Sequence, residues 1–198
     1  MRRPLWFFVD DSTPPSALQA AYQHSYDHLL VTARAHALLE SCPIPSRMSV
    51  IVLVKSENEI KSALEHAAWR DQVVGVMADG PRMLATVLEA VVENQLKSGL
   101  LHRVDDEPTL SASLRYATQV DLLLLSFKDP TNIPLELVLA VTQPIDCQVV
   151  KLVSSASDGQ SSAMTMECGA DAIALQSNDI DEIIALDMAF STASESQL

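Results

Sequence analysis

The feature that most constrains the fold is a pattern that recurs eight times along the chain. A short apolar run is followed by a polar break and then by ten or more residues with helical spacing. The apolar runs lie at residues 5–9, 28–32, 49–54, 73–77, 100–104, 121–126, 147–153 and 172–175. Eight alternating units predict an α/β fold, and we expect a single (β/α)8 barrel of the TIM-barrel type, although an open doubly wound sheet gives the same local pattern.

A comparison of the two halves of the chain favours the closed barrel. The motif VDD ends the first apolar run, at Asp10, and also the fifth, at Asp105, while Asp27 and Asp121 precede the second and sixth runs. Helical spacing is clearest at residues 57–69 and 83–97. We therefore expect two half-barrel repeats, with the barrel domain at residues 1–190 and a polar tail at residues 191–198.

The charge of the chain excludes some classes of partner. With 26 acidic and 13 basic residues the formal net charge is −13, which repels a phosphate backbone, so we expect no nucleic-acid partner. A small anionic substrate is compatible with this acidity, because only the local field of a pocket acts on it. No apolar stretch reaches the ~20 residues of a membrane span, so we expect a soluble cytoplasmic protein without a membrane partner.

Cysteine, histidine and glycine place limits on the chemistry. The three cysteines Cys42, Cys147 and Cys168 are widely spaced. That they are ordinary reduced thiols is a simpler interpretation than that one of them is a catalytic nucleophile. The five histidines show no metal-binding spacing, so we predict no metal site. With five glycines and no GxGxxG, P-loop or GxSxG motif, a standard phosphate-binding loop is excluded.

Reactive groups in a barrel come from the C-terminal ends of strands, and the ends here are unusually charged. They carry Asp10, Asp11, Lys55, Asp79, Asp105, Asp106, Lys128, Asp129 and Lys151. Asp10 and Asp105, related by the repeat, are expected to face each other across the mouth, where such a pair suits acid–base catalysis or the binding of a ribose hydroxyl or a metal. We predict that both bind substrate together with Lys55. Aspartate after a strand is also a common cap or turn residue, and both interpretations stay open.

Lys151 lies inside the apolar run QVVKLV. Strict alternation places it with Cys147 and Val149 on one strand face and leaves Val150 and Leu152 on the other. If its face is the barrel interior, burial lowers the pKa of the amine and makes it a nucleophile or base. The alternative is a lysine that reaches solvent or neutralises a carboxylate.

The segment SFKDPTNIPLE at residues 126–136 follows the most apolar run of the chain. Asp129 before Pro130 predicts the end of the strand, and Pro134 suits the first turn of a helix. We expect Lys128, Asp129, Thr131 and Asn132 at the mouth of the barrel. A structural interpretation makes Asn132 a helix N-cap and Asp129 a turn former.

Over residues 120–186 the sequence resembles the 3-dehydroquinate synthase II family and its aminohydroxybenzoate synthase relatives. The family pattern is a strand that leads into FKDPTNIPLELVIA, a strand with a lysine, an LExGADGV-like turn and a DPxEI helix. The matching parts here begin at Phe127, at Val149 before Lys151, at Met166 and at Asn178.

The resemblance implies an NAD-dependent oxidative deamination of a seven-carbon amino-dideoxy-ulosonate, followed by ring closure to 3-dehydroquinate in aromatic amino acid biosynthesis. From the chemistry of that reaction we assign proton transfer or imine handling to Lys128 and Lys151, and we predict these two and Asp129 as the catalytic residues. Thr131, Asn132 and Glu136 are then expected to order the mouth and contact the substrate. NAD is implied by the resemblance alone.

The chain departs from the family pattern in two respects. Family members continue into a β-rich C-terminal half, so we expect a separate chain to supply that half if the protein is active. Gly159 and nearby serines replace a more helical run, and the glycine alone costs that helix roughly 1 kcal/mol, which suggests sequence drift. The alternative functions are a non-catalytic barrel that binds a ligand or partner, and a Schiff-base lyase that uses Lys151.

Overall fold

The computed structural model describes residues 3–129, 131–164 and 169–195. Within these residues, eight parallel strands close into a barrel in chain order, and a helix follows each strand, which confirms the predicted (β/α)8 fold. The strands are β1 (Leu5–Val9), β2 (His28–Thr32), β3 (Ser49–Val54), β4 (Val73–Asp79), β5 (Lys97–Val104), β6 (Leu122–Phe127), β7 (Gln148–Val153) and β8 (Ala172–Leu175). The helices are α1 (Pro15–Gln23), α2 (His36–Ser41), α3 (Glu57–Glu65), α4 (Leu84–Asn94), α5 (Glu107–Ala117), α6 (Ile133–Thr142), α7 (Ala156–Met164) and α8 (Ile180–Glu195).

The predicted strands agree with the structure more closely than the predicted helices do. Strands β1, β2, β3 and β8 have the predicted bounds, but α3 ends at Glu65 rather than at residue 69. Helix α4 ends at Asn94 because Gln95 adopts the left-handed conformation, with φ of 55°, and the chain then enters β5 at Lys97. The prediction that α4 extends to residue 97 was therefore wrong.

The strands carry apolar side chains on both faces, which divides the core into two layers. The layer inside the barrel consists of Trp6, Phe8, Leu30, Ile51, Leu53, Met77, Leu101, Leu122, Leu124, Val150, Ala172 and Ala174. The opposite strand faces pack against the helices. Gly99 makes room inside the barrel, since a Cβ there would lie 3.0 Å from Cε of Met77. The interior is thus a packed core rather than a pore.

Three aspartates fix the N-terminal ends of the strands. Each lies directly before a strand and accepts a hydrogen bond from a backbone N–H in the preceding strand: Asp27 from Leu5 at 2.9 Å, Asp121 from Ser98 at 2.7 Å, and Asp171 from Val149 at 2.7 Å. Asp27, Asp121 and Asp171 therefore make equivalent contacts before β2, β6 and β8. Their role is structural, at the face opposite the mouth.

Helix α7 has a packing reason for its glycine. A Cβ on Gly159 would lie 2.6 Å from Cδ1 of the buried Leu186 and 3.3 Å from Cγ2 of Ile173. Glycine therefore lets α7 approach α8 and the barrel closely.

The last helix, α8, continues to Glu195, past the domain boundary that we predicted at residue 190. Residues 196–198 of the predicted tail, and Met166, Glu167 and Cys168 at the start of the predicted turn motif, lie outside the described residues. None of the helices in the described ranges combines the length and apolarity of a membrane span.

Candidate active site

The inner face of the barrel changes from apolar to charged at the C-terminal ends of the strands. On four strands an inward apolar side chain is followed two residues later by a charged one: Phe8 by Asp10, Leu53 by Lys55, Met77 by Asp79, and Leu101 by Arg103. Because alternate side chains share a face, these charged groups lie directly above the apolar core. This is the end of the barrel where (β/α)8 enzymes keep their active sites.

The charged groups surround a cavity of about 340 Å³ at the mouth. Its wall consists of Phe8, Asp10, Asp11, Thr32, Ala33, Arg34, Leu53, Lys55, Glu59, Asp79, Leu101, Arg103, Ser126, Leu152 and Gln176. Three cations and four acids meet here above an apolar floor. The volume and the mixed charge suit a small polar molecule that carries groups of both signs.

Lys55 and Asp79 form an ion pair inside this wall. The Nζ atom of Lys55 lies 3.5 Å from Oδ2 of Asp79, and their side chains are 59% and 19% exposed. The backbone N–H of Lys55 also donates to the carboxylate of Glu59 at 2.6 Å. The amine keeps access to the cavity, since a pair this exposed holds the lysine only weakly.

Asp10 is held ionised by its neighbours. Burial raises the pKa of its carboxyl, but hydrogen bonds from Ser12, Thr13 and Gln176 outweigh burial and leave the pKa below its usual value. The backbone N–H and the hydroxyl of Ser12 donate to Oδ1 at 2.8 and 2.7 Å. A carboxylate of low pKa is a weak base, and Asp10 is therefore better suited to bind an ammonium or hydroxyl group than to abstract a proton.

Arg34 and Arg103 are exposed cations of the wall that the sequence analysis missed. Neither forms an ion pair or a side-chain hydrogen bond with any residue that the structure describes. Arg103 was detectable from the sequence, because it lies two residues after the inward-facing Leu101. Unpaired guanidinium groups beside a cavity suit a carboxylate ligand.

Of the predicted substrate-binding residues, the structure places Asp10 and Lys55 in the cavity wall. Asp105 is not part of this wall, and the expectation that it faces Asp10 across the mouth stays a prediction. It is exposed in the loop after β5, where its backbone N–H donates to Oγ1 of Thr109 at 2.9 Å, and Arg103 takes the place in the wall.

The described residues of the segment 126–136 lie mostly outside the cavity wall, and we call the part of it that ends at Asn132 the rim segment. Within the described part of this segment only Ser126 lines the cavity, and Lys128, Asp129, Thr131, Asn132 and Glu136 do not. Asp129 is a turn former, since its Oδ1 accepts the backbone N–H of Thr131 at 2.8 Å, and this bond lowers the pKa of its carboxyl. Lys128 and Asp129 are both exposed.

Lys151 points away from the barrel interior, towards the helices. Its neighbours at alternate positions, Val149 and Val153, pack in the layer between strands and helices. The side chain is 4% exposed, and Nζ donates to three oxygens: Oδ1 of Asp158 at 2.7 Å, Oγ of Ser162 at 2.8 Å and Oδ1 of Asn132 at 2.9 Å. Lys151 therefore neutralises the carboxylate of Asp158, which is the second of the two alternatives for this residue.

Asn132 occupies the N-cap position of α6, but its side chain makes no capping hydrogen bond. Its Oδ1 instead accepts from Lys151 and from the hydroxyl of Ser162. Asn132 of the rim segment and Lys151 of β7, which belong to separate motifs in the sequence, thus meet in one cluster outside the barrel.

The thiol of Cys147 is poorly suited to act as a nucleophile. Burial, with the nearby Asp171 and Asp121, raises the pKa of the Cys147 thiol to about 12, which suppresses the reactive thiolate. Within the described ranges no three His, Cys, Asp or Glu side chains are grouped as metal ligands.

Comparison with known sequences identifies a family and one relative. Residues 3–190 match the family model of the 3-dehydroquinate synthase II N-terminal domain. A 3-dehydroquinate synthase of Methanothrix thermoacetophila is 33% identical over 100 residues, which are 46% of this chain and 27% of the relative. The aligned part is thus well under two thirds of the relative's length.

Solved structures share the fold at low sequence identity. Phosphoribosyl anthranilate isomerase from Thermotoga maritima superposes with a TM-score of 0.68 at 12% identity, over 97% of this chain and 100% of that one. The tryptophan synthase α subunit from Legionella pneumophila gives 0.65 at 10% identity, over 96% and 93%. A 7,8-dihydropteroate synthase from Vibrio fischeri gives 0.68 at 11% identity, over 98% and 94%. At these identities the likeness supports the barrel fold alone.

Proposed function

The chain belongs to the 3-dehydroquinate synthase II family, and we propose that its barrel mouth is the substrate site of a 3-dehydroquinate synthase-like reaction. The proposed substrate is an amino-dideoxy-heptulosonate, whose amine and carboxylate make it a zwitterion. The observation that carries the proposal is a cavity of about 340 Å³ with both cations and carboxylates above an apolar floor, in a chain of this family.

The proposed reaction has two parts. The amine-bearing carbon would first be oxidised to an imine, with NAD as the two-electron acceptor that a second domain or chain would hold, and water would then convert the imine to a ketone with release of ammonium. A carbon beside the second ketone then loses a proton and attacks the new ketone, which closes the ring. The site must therefore hold both charged groups of the substrate and move protons during hydrolysis and closure.

The two charged ends of the substrate have matching groups in the wall. Arg34 and Arg103 are unpaired within the described residues and would bind the carboxylate through charge-assisted hydrogen bonds. Asp10, whose pKa is lowered, would stay ionised and bind the ammonium group or a hydroxyl. This arrangement orients the substrate across the mouth.

Proton transfer falls to Lys55 and Asp79 in this proposal. Their 3.5 Å separation allows a proton to pass between amine and carboxylate, directly or through one water. The lysine charge would also stabilise the enolate that forms before ring closure. Lys55 was predicted as a substrate-binding residue, and the proposal extends its role.

The residues of the barrel do not by themselves fit NAD. A dinucleotide is several times larger than a seven-carbon acid, and a cavity of about 340 Å³ cannot hold both. The sequence also has no glycine-rich loop for a pyrophosphate. NAD dependence is therefore proposed together with a second domain or chain that supplies the rest of the site.

The predicted catalytic residues take other places in this proposal. Lys151 would be a positioning residue, since its amine binds Asn132 at the end of the rim segment rather than facing the cavity. Lys128 and Asp129 are exposed on the rim and would reach a substrate only if the rim folded over the mouth.

The test is NADH formation from the amino-ulosonate by the chain mixed with the separately produced C-terminal domain of the archaeal relative. We expect Lys55→Met to lower kcat at least ~100-fold, and Lys61→Met, exposed on α3, to leave it unchanged. The full-length relative is the positive control. Wild-type kcat in Lys55→Met contradicts the proposal, and absence of NADH with normal binding of 3-dehydroquinate supports the alternative of a non-catalytic ligand-binding barrel.

A further inference from the structure

Helix α6 exposes a row of large apolar side chains. Ile133, Leu137 and Val141 are 62%, 54% and 49% exposed. They are spaced by four residues, so they lie above one another on a single helix face. We call this face the α6 stripe.

The opposite face of α6 is apolar as well. Leu135 and Val138 are fully buried against the barrel, so α6 is apolar on both sides. The preceding helix shows the usual pattern: at the same spacing α5 exposes Glu107, Ser111 and Arg115. A helix that is hydrophobic all round is normally buried, which indicates that another surface covers the α6 stripe.

The charge of the chain argues against a second copy as that surface. A formal net charge of −13 on each copy opposes self-association. The family offers a different occupant, because the barrel matches an N-terminal domain, and the 100 aligned residues are 27% of the archaeal relative. A domain that follows the barrel in the family would be packed beside it.

We infer that the α6 stripe docks the C-terminal domain of the 3-dehydroquinate synthase II family, in the same polypeptide or as a separate chain. The inference rests on the proposed function for its choice of partner. The proposed function does not specify where on the barrel the C-terminal domain binds, and the α6 stripe is that surface.

The position of the stripe places the docked domain beside the mouth. Ile133 directly follows Asn132, at the end of the rim segment, and Ser126 of the same segment lines the cavity. Lys151 anchors Asn132 from the buried side. A domain on α6 would therefore extend the wall on the β6 side, where the cavity alone lacks room for NAD.

The experiment titrates the full chain with the separately produced C-terminal domain of the archaeal relative, by calorimetry and sedimentation velocity. We expect a 1:1 complex, and we expect the double variant Leu137→Asp, Val141→Asp to weaken it at least ~100-fold, because charges then enter an apolar contact. Val92→Asp is the matched control, since Val92 is 78% exposed on α4. All substituted positions are exposed, and circular dichroism checks that the variants fold.

Three outcomes overturn the inference. They are wild-type binding by the double variant, self-association of the chain that the double variant abolishes, and no complex with the archaeal domain. A chimera in which this chain replaces the relative's own barrel provides a second measurement. Amide exchange in residues 133–142 should be slower in the chimera than in the isolated chain, and equal exchange contradicts the inference whether or not the isolated domain folds.

Failure of the docking surface and failure of the proposed function give different results. Titration with 3-dehydroquinate reports on the mouth without the second domain. If the chain binds 3-dehydroquinate but not the C-terminal domain, the α6 stripe is rejected as the docking surface. If it binds the domain but not 3-dehydroquinate, the substrate site is rejected.

Discussion

The Nζ atom of Lys151 lies 2.7 Å from Oδ1 of Asp158, outside the barrel and between β7 and α7. The same amine binds Asn132 at the start of α6. One buried cation therefore joins a strand to two helices. This contact gives a structural reason for the presence of a lysine in an apolar strand.

Replacement of Lys151 by Met should destabilise the fold. The variant leaves Asp158, Ser162 and Asn132 without their shared donor, and removal of one partner of a buried pair costs about 3–5 kcal/mol. Because the Asp158 side chain is 37% exposed and can regain water, we expect a loss of about 2 kcal/mol in the free energy of unfolding, measured in urea. Lys128→Met, on the exposed rim, should change it by less than about 0.5 kcal/mol. Equal stability of both variants contradicts a structural role for Lys151.

Gly159→Ala tests the close packing of α7. Alanine gains about 1 kcal/mol of helix propensity over glycine, but its Cβ would lie 2.6 Å from Cδ1 of Leu186, and overpacking typically costs about 1–3 kcal/mol. We expect a net loss of about 1 kcal/mol by urea unfolding. Ser157→Ala, exposed on the same helix, should be neutral or slightly stabilising. A more stable Gly159→Ala protein would show that the glycine is not needed.

His28 should make stability depend on pH near neutrality. Burial lowers the pKa of its imidazole, Asp27 opposes the shift, and Lys97 adds to it. Below the unfolded-state pKa of about 6.5 the unfolded chain takes up a proton that the folded state resists, so stability falls as the pH falls from 7 towards 5. In the variant His28→Phe the free energy of unfolding, measured in urea at several pH values, should lose this fall between pH 7 and pH 5. If the free energy of unfolding of the variant depends on pH as steeply as that of the wild type, other groups cause the pH dependence.

The sequence predicted the barrel and most strand ends because each strand is a distinct apolar run. It left the orientation of β7 open, since Val149, Val150, Leu152 and Val153 make both faces apolar and only closure of the barrel decides which face meets the helices. Arg103 could have been predicted from the sequence, because it lies two residues after Leu101 and alternate residues share a strand face. The position of the rim outside the cavity depends on how β6 is staggered against its neighbours, which no local pattern encodes.

The two aspartate pairs that the two halves of the sequence share have different outcomes in the structure. Asp27 and Asp121 make equivalent hydrogen bonds at the N-terminal ends of the strands. Asp10 and Asp105 differ, since the wall position on β5 belongs to Arg103.

The most direct test of the proposed substrate site is calorimetric titration of the chain with 3-dehydroquinate. We expect saturable 1:1 binding that Arg103→Ala weakens about tenfold or more, because a charge-assisted hydrogen bond to the carboxylate is lost, and that Lys61→Ala leaves unchanged. No saturable binding to the wild-type chain, or the same affinity in Arg103→Ala, would contradict a substrate site at the barrel mouth.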